Sequence, residues 1–264
     1  MKFRKYHGLG NDYLVLEEGA LNPAEVSAIC DRHRGLGADG ILEPISSRAA
    51  DIGLRIWNPD GSVAEKSGNG LRIFARWLVE HRGALDDLTV ELPGGHVRCQ
   101  VDGAEVTVQM GQASFEAADV PVIEPMIFSP KAVGDVMLPL TAVGLGNPHC
   151  VVFLPTDLDA LPWRAWGKQL ECSPLFPNRT NVQFARVIDR HTIEARIWER
   201  GAGETSASGS SSCAIAAAAV KLEHCEGEIQ VRMPGGSLDV TVGRDFSLIL
   251  RGPVEYVGSM TYRT

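Results

Sequence analysis

Two short segments of this sequence place a serine directly before a glycine at an expected helix start. They read Glu65-Lys66-Ser67-Gly68-Asn69-Gly70 and Thr205-Ser206-Ala207-Ser208-Gly209-Ser210. The first-turn N–H groups of a helix lack intrahelical partners and carry the positive end of its dipole, so each segment suits a carboxylate or phosphate. Two such helix starts facing one ligand would place a hydroxyl on each face of the carbon beside its carboxylate. That arrangement fits proton exchange between two faces; the plainer alternative is that both serines only cap their helices.

The two segments belong to an internal repeat, because other short strings recur at the same spacing of 141 residues that separates Ser67 from Ser208. The strings are Arg55-Ile56-Trp57 with Arg196-Ile197-Trp198, Pro93-Gly94-Gly95 with Pro234-Gly235-Gly236, and Gly111 with Gly252. Gly8-Leu9-Gly10-Asn11 also recurs as Gly144-Leu145-Gly146-Asn147, at a spacing of 136. A repeat this long predicts two similar domains related by an approximate two-fold axis.

The sequence pattern of each half predicts β-hairpins and one central helix. Apolar residues alternate on either side of each Pro-Gly-Gly turn, which is typical of antiparallel strands. Helices are expected over about 69–81, ending at Gly83, over about 211–223, ending near Gly227, and near 23–33. The predicted class is α+β, with two pseudo-symmetric domains, each a β-rich sheet or barrel around a central helix, and an active site in the inter-domain cleft. The expected domains are 1–117 and 118–252, with residues 253–264 packing back on the first.

The composition is that of a globular protein and disfavours two classes of partner. The chain has 264 residues, 44% of them hydrophobic, and a net charge of −8, which disfavours nucleic acid and anionic membranes as partners. Because the sequence shows no transmembrane run and no secretory signal, we expect a cytoplasmic protein.

The histidines and cysteines show no metal-binding or nucleotide-binding pattern. The six cysteines form no CxxC pair, the seven histidines are scattered, and no HExxH, Walker loop or GxGxxG occurs. We therefore expect no cofactor and no metal, and we expect the cysteines to be reduced and mostly buried.

Five motifs resemble those of one known family. They are His7-Gly8-Leu9-Gly10-Asn11-Asp12, Asn58-Pro59-Asp60-Gly61-Ser62 followed by Ser67-Gly68-Asn69-Gly70-Leu71-Arg72, Gly146-Asn147-Pro148-His149-Cys150, Pro177-Asn178-Arg179-Thr180-Asn181 and Glu199-Arg200-Gly201-Ala202-Gly203-Glu204-Thr205. Together with Met233-Pro234-Gly235-Gly236, these motifs span nearly the whole chain. The chain resembles the diaminopimelate epimerases, a family of cofactor-independent amino-acid racemases and epimerases.

The resemblance implies proton transfer at an α-carbon without pyridoxal phosphate or metal. In such enzymes one cysteine thiolate removes the α-proton and a thiol on the other face delivers one, and those positions fall at Ser67 and Ser208. The implied substrate-binding residues are Asn11, Asn58, Gly68, Asn69, Asn147, Asn181, Glu199, Arg200, Gly209 and Ser210. Asn58, Asn147, Asn181 and Arg200 match residues that hold the distal amino-acid end of diaminopimelate. The plainer alternatives are turn asparagines and a surface ion pair at Arg200.

Serine at both catalytic positions departs from the family pattern. A thiol titrates near pH 8.5 and lower at a helix start, whereas a serine hydroxyl needs an adjacent base. Cys213 is a weak substitute, because it lies more than one helical turn beyond Ser208.

The expected function is an isomerase of lysine biosynthesis that converts LL- to meso-diaminopimelate or a related amino acid, and a homodimer is possible. The alternatives are a one-base isomerase or lyase on a modified amino acid, a non-catalytic amino-acid-binding homologue, and an engineered Cys-to-Ser pair. The engineered pair is disfavoured because Ile73 and Ser210-Ser211-Ser212 also depart from the family pattern.

Overall fold

A computed structural model describes residues 1–263 of the chain. Thr264, the last residue of the segment expected to pack back on the first domain, lies outside the described residues. The chain divides into two compact units. The first comprises Met1–Gln109 and the segment from Arg251 onward, and the second comprises Met110–Leu250.

The first series of elements runs to residue 112. It consists of β1 (Lys2–Gly8), β2 (Asn11–Glu18), α1 (Pro23–Cys30), β3 (Gly40–Ile45), β4 (Ile52–Trp57), β5 (Val63–Ala64), α2 (Gly68–Arg82), β6 (Asp87–Leu92), β7 (Gly95–Asp102) and β8 (Glu105–Gln112). β2 pairs antiparallel with β1 and parallel with β3, and β4 pairs antiparallel with β3 and β5 and parallel with β6. β6, β7 and β8 form an antiparallel meander.

The second series repeats the first after an extra strand. It consists of β9 (Ser129–Val133), β10 (Val136–Gly144), β11 (Pro148–Phe153), a 3-10 turn (Leu158–Ala160), α3 (Trp163–Glu171), β12 (Asn181–Asp189), β13 (Thr192–Glu199), β14 (Gly203–Thr205), α4 (Gly209–Lys221), β15 (Glu228–Met233), β16 (Gly236–Val242) and β17 (Ser247–Pro253), before a last strand β18 (Glu255–Thr261). β10 to β16 pair in the order of β1 to β7, including the parallel pairs β11–β12 and β13–β15. This agreement confirms the α+β class and the internal repeat.

Each unit is built around its own buried helix, as the sequence predicts. In the first unit α2 packs on β1, β2 and β7, and its apolar residues Leu71, Phe74 and Trp77 have no exposed surface. In the second unit α4 packs on β10, β11, β12, β15 and β16 through a run of fully buried alanines, 216–219. Because alanine has no side chain beyond Cβ, this helix lies close to its strands and loses no side-chain entropy on burial.

The helices differ from the predictions at two ends and by one additional helix. α4 ends at Lys221 rather than near Gly227, because Glu223 adopts the left-handed conformation (φ 59°) that glycine usually supplies. The N–H groups of Glu223 and His224 bond the carbonyls of Val220 and Ala219, which closes the last turn. α1 ends at Cys30 rather than near residue 33. α3, which follows a proline and lacks a glycine stop, was not predicted.

The helices of the described chain, residues 1–263, include none that is both long and apolar enough to cross a membrane.

The left-handed glycine that ends α2 supplies a test of the backbone. Gly83 has φ 66°, and an added Cβ would have no neighbour within 4 Å. We expect Gly83→Ala to lower the free energy of unfolding by about 1 kcal/mol through backbone strain alone. Gly94 has equally open space and no positive φ, so Gly94→Ala is the matched control and should leave stability within about 0.5 kcal/mol. Urea unfolding measures both changes, and an equal loss of stability in the two variants would contradict the attribution to backbone strain at Gly83.

Candidate functional site

Ser67 caps α2 through its side chain. Its backbone is extended (φ −139°, ψ 120°), and its Oγ accepts a hydrogen bond of 3.0 Å from the N–H of Gly70. The hydroxyl of Tyr13, on β2, lies 3.2 Å from the same Oγ, and Tyr13 is buried. Ser67 therefore has a phenol beside it, an interaction that sequence reasoning missed because the two residues lie far apart in the chain.

Ser208 occupies the matching position before α4 but bonds differently. Its backbone is nearly the same (φ −147°, ψ 125°), yet its side chain makes no capping hydrogen bond. Its carbonyl oxygen accepts from the N–H of Ser212 at 3.1 Å and from the Ser212 Oγ at 2.8 Å. Ser208 is only 4% exposed. The two serines are thus matched in backbone and not in side-chain bonding.

Asn11 and Asn69 are brought together in the first unit. The amide of Asn69 donates to the Asn11 Oδ1 at 2.9 Å, and the amide of Asn11 donates to the Asp39 Oδ2 at 2.8 Å. The guanidinium of Arg72, fully buried in α2, donates to the Asn69 Oδ1 at 2.8 Å. This chain of bonds ties the start of β2 to the first turn of α2, next to buried Gly68. Asp39 and Arg72 were not predicted site residues.

Asn58 lies in a tight turn after β4. Its N–H bonds the Ser62 carbonyl at 2.8 Å, its amide bonds the Ser62 Oγ at 2.9 Å, and its carbonyl accepts from Gly61. Across residues 1–263, every hydrogen bond that the structure shows for Asn58 stays within this turn. Asn58 therefore takes part in holding this turn, and the described residues show no hydrogen bond that joins it to Asn11 or Asn69.

Asn181, in the second unit, bonds Arg200 directly and bonds the residue that follows Asn147. Its amide donates to the Pro148 carbonyl at 3.1 Å, beside Asn147, and its Oδ1 accepts the Arg200 N–H at 3.0 Å. The exposed Arg200 side chain donates to the Asn178 carbonyl at 3.3 Å. Half-buried Glu199 ends β13 just before Arg200, while buried Gly209 and half-buried Ser210 open α4.

A buried polar network that was not predicted lies behind these residues. His149 is fully buried. Its Nε2 lies 3.0 Å from the Asn147 Oδ1, and its Nδ1 lies 3.0 Å from the amide nitrogen of Gln183. The same amide nitrogen also donates to the Ser211 Oγ at 3.0 Å. Burial, aided by the charge of Arg200, lowers the pKa of His149 to about 3. A neutral ring that accepts from Gln183 at Nδ1 carries its proton on Nε2 and donates it to Asn147.

The hydrogen bond from His149 occupies the amide oxygen of Asn147, so the amide nitrogen of Asn147 is the group left to donate elsewhere.

The sequence contained one indication that polar side chains gather here. Asn181 and Gln183 are two residues apart on β12, so they lie on the same face of the sheet.

Metal binding and ready thiol ionisation depend on how the cysteines and the possible metal ligands of residues 1–263 are arranged. Within residues 1–263, no group of three or more His, Cys, Asp or Glu residues is arranged to hold a metal ion. All six cysteines are free thiols; five of them are buried and Cys172 is exposed. Cys213 is completely buried inside α4, and burial raises the pKa of Cys150 and of Cys99, the latter to about 12.

Comparisons with known proteins agree across the chain. The family model described as diaminopimelate epimerase matches residues 3–116 and 141–257. Diaminopimelate epimerase 2 of Nostoc sp. (strain PCC 7120 / SAG 25.82 / UTEX 2576) is 47% identical over 266 residues, covering 96% of this chain and 93% of its own. The diaminopimelate epimerase of Pelotomaculum thermopropionicum is 38% identical over 282 residues and covers both chains completely.

Solved structures share the fold at low sequence identity. A hydroxyproline epimerase from Agrobacterium vitis, with bound trans-4-OH-L-proline, has a TM-score of 0.76 at 14% identity, covering 98% of this chain and 91% of its own. A phenazine biosynthesis protein of the PhzF family from Bacillus anthracis has a TM-score of 0.70 at 17% identity, covering 98% of both chains.

The burial of His149 predicts a specific pH dependence of stability. The unfolded chain binds a proton at this histidine below about pH 6.5, whereas the folded protein does so only near pH 3. Between these values unfolding takes up a proton, so the free energy of unfolding falls on acidification by about 1.4 kcal/mol per pH unit from this group. We expect His149→Asn to remove that slope in urea unfolding between pH 6.5 and 5. His33→Asn, at an exposed position, is the control, and an unchanged slope in His149→Asn would contradict the prediction.

Proposed function

Because the chain belongs to the diaminopimelate epimerase family of isomerases, we propose that it is an amino-acid epimerase that converts LL- to meso-diaminopimelate or acts on a closely related amino acid. The observation that carries the proposal is that α2 and α4 begin directly after Ser67 and Ser208, at matching positions of the two repeats. The proposal includes a cytoplasmic location, a small amino acid as the only substrate, and chemistry without pyridoxal phosphate or a metal.

The helix starts supply the electrostatic part of the mechanism. Proton removal from an α-carbon leaves negative charge that spreads onto the neighbouring carboxylate. Backbone N–H groups of Gly68 and Asn69 at one helix start, and of Gly209 and Ser210 at the other, are first-turn donors of the kind that binds a carboxylate and stabilises added charge on it. These donors belong to buried or half-buried backbone, so they are already oriented before substrate arrives.

The second-unit asparagines and Arg200 support recognition of a substrate with an amino-acid group at each end. The amide nitrogen of Asn147 is the free donor of its side chain, and Arg200 carries an exposed guanidinium on a segment bonded to Asn181. A guanidinium and an amide donor suit a distal carboxylate. We assign Asn147, Asn181 and Arg200 to this distal end, and we propose Asn11, Asn58 and Glu199 as further substrate-binding residues.

The unequal surroundings of the two serines favour a second candidate, a one-base isomerase or lyase on a modified amino acid. Tyr13 lies 3.2 Å from the Ser67 Oγ, and a phenol is a stronger acid than an alcohol by several pKa units. A neutral phenol at pH 7 can return a proton to Ser67 after the serine has delivered its own. Ser208 has a buried position and no capping bond, so the two serines are not chemically equivalent.

Proton NMR in deuterated water with LL-diaminopimelate tests the proposal. We expect the α-proton signal to decay while the meso form appears, and Ser67→Ala and Ser208→Ala each to slow this by about 100-fold or more. The double variant Ser67→Cys/Ser208→Cys should react faster than the wild type at pH 8, because thiols ionise there. Ser206→Ala, at an exposed position two residues before Ser208, is the control.

The outcomes separate the candidates. Loss of the α-proton without inversion, or formation of a new double bond, would support the one-base reaction. Binding without any exchange would indicate a non-catalytic homologue, and no binding of any diaminopimelate stereoisomer would overturn the proposal.

A further inference from the structure

Glu171, the last residue of α3, carries a buried carboxylate that the proposed mechanism does not use. The residue is only 5% exposed. Its Oε2 accepts the indole N–H of Trp198 at 2.8 Å, and its Oε1 accepts the backbone N–H of Gly201 at 2.6 Å. The guanidinium of Arg179 also donates to Oε1. Burying a carboxylate is costly unless donors satisfy it, so three donors on one side chain indicate a strongly held arrangement.

The three donors come from the two segments that carry Asn181 and Arg200. Trp198 and Gly201 lie on either side of the dipeptide Glu199-Arg200. Arg179 lies two residues before Asn181, and the N–H of Thr180, between them, bonds the Glu171 carbonyl at 3.2 Å. One residue of α3 thus holds both segments through its side chain and its backbone.

The backbone around Arg200 is held at two adjacent amides. The N–H of Arg200 bonds the Asn181 Oδ1 at 3.0 Å, and the N–H of the next residue, Gly201, bonds Glu171. Gly201 has φ 83° and Arg179 has φ 58°, so each segment turns through a left-handed residue at the point where Glu171 binds it. Arg179 adopts this conformation at a cost that its bonds to Glu171 and to the Phe176 carbonyl offset.

The matching tryptophan of the first unit shows that this clamp is not a general feature of the repeat. Trp57 donates its indole N–H to Glu43 at 2.8 Å, and Arg55 bonds the same carboxylate at 3.0 Å. Both partners lie on β4, next to the strand of Glu43, so in the described first unit these bonds join two strands and hold no loop backbone. The loop clamp is specific to Glu171.

We infer that Glu171 is a positioning residue that sets the specificity for the distal end of the substrate, by holding the Asn181 and Arg200 segments in one geometry. The inference rests on the proposed function, because it needs those residues to bind a distal amino-acid group. In Glu171→Gln the single amide oxygen cannot serve all three donors, and the amide N–H groups face other donors. In either orientation of the amide, at least one of the donors that flank Arg200 loses its acceptor, so the Arg200 segment is held less firmly, while the two helix starts are untouched.

The test compares two ligands that differ only at the distal end. Diaminopimelate has an amino-acid group at each end, and 2-aminoheptanoate has the same chain length with one. Dissociation constants are measured by isothermal titration, with competition for the weaker ligand. Glu194→Gln is the matched control, since Glu194 lies in the same unit and bonds Arg186 on the neighbouring strand β12 and Arg196 on its own strand β13.

We expect Glu171→Gln to weaken diaminopimelate binding by about 10- to 100-fold and 2-aminoheptanoate binding by less than about 3-fold, while Glu194→Gln changes neither. Equal weakening of both ligands, or none, would overturn the inference. Failure of the wild type to bind diaminopimelate would overturn the proposed function, and this inference with it.

Circular dichroism establishes that each variant is folded before titration. Should Glu171→Gln not fold, Arg179→Gln removes one donor from a half-exposed side chain and should show the same selective loss at a smaller size. A folded Arg179→Gln protein with unchanged selectivity would then overturn the inference.

Discussion

Each half of the chain depends on one constraint: a short strand must stop and a buried helix must begin with only three residues between them. The first-turn N–H groups of such a helix need partners that the helix cannot supply. Ser67 meets part of this need by capping α2, and Ser208 leaves it open before α4. The rest of each unit, a set of strands packed around the helix, holds these helix starts in place.

Serine changes what the helix starts can do, although the backbone is matched in both units. A cysteine there would ionise near neutral pH because the helix dipole favours its thiolate, whereas a serine hydroxyl keeps its proton. The structure provides Ser67 with a phenol and gives Ser208 a buried position. The two serines therefore have chemically different surroundings, and this asymmetry comes from residues outside the motifs.

The second unit shows how polar groups deep in the protein prepare groups at its surface. His149 stays neutral because it is buried, and its bond to Gln183 decides which ring nitrogen faces Asn147. Glu171 acts in the same way on the Arg200 segment through backbone and indole donors. Both side chains are fixed by partners from other elements, which is the usual way in which a site becomes preorganised.

The sequence by itself determined the two-fold repeat, the hairpins and the start of α2, because periodicity, Pro-Gly-Gly turns and a serine before glycine act over a few residues. It did not determine the end of α4, where Glu223 takes the left-handed role, since local preference assigns that role to glycine. Nor did it indicate Tyr13 beside Ser67 or Glu171 bound to the N–H of Gly201, the residue after Arg200. Those contacts join residues from different elements, and only the packing of strands and helices in the tertiary structure brings them within hydrogen-bonding distance.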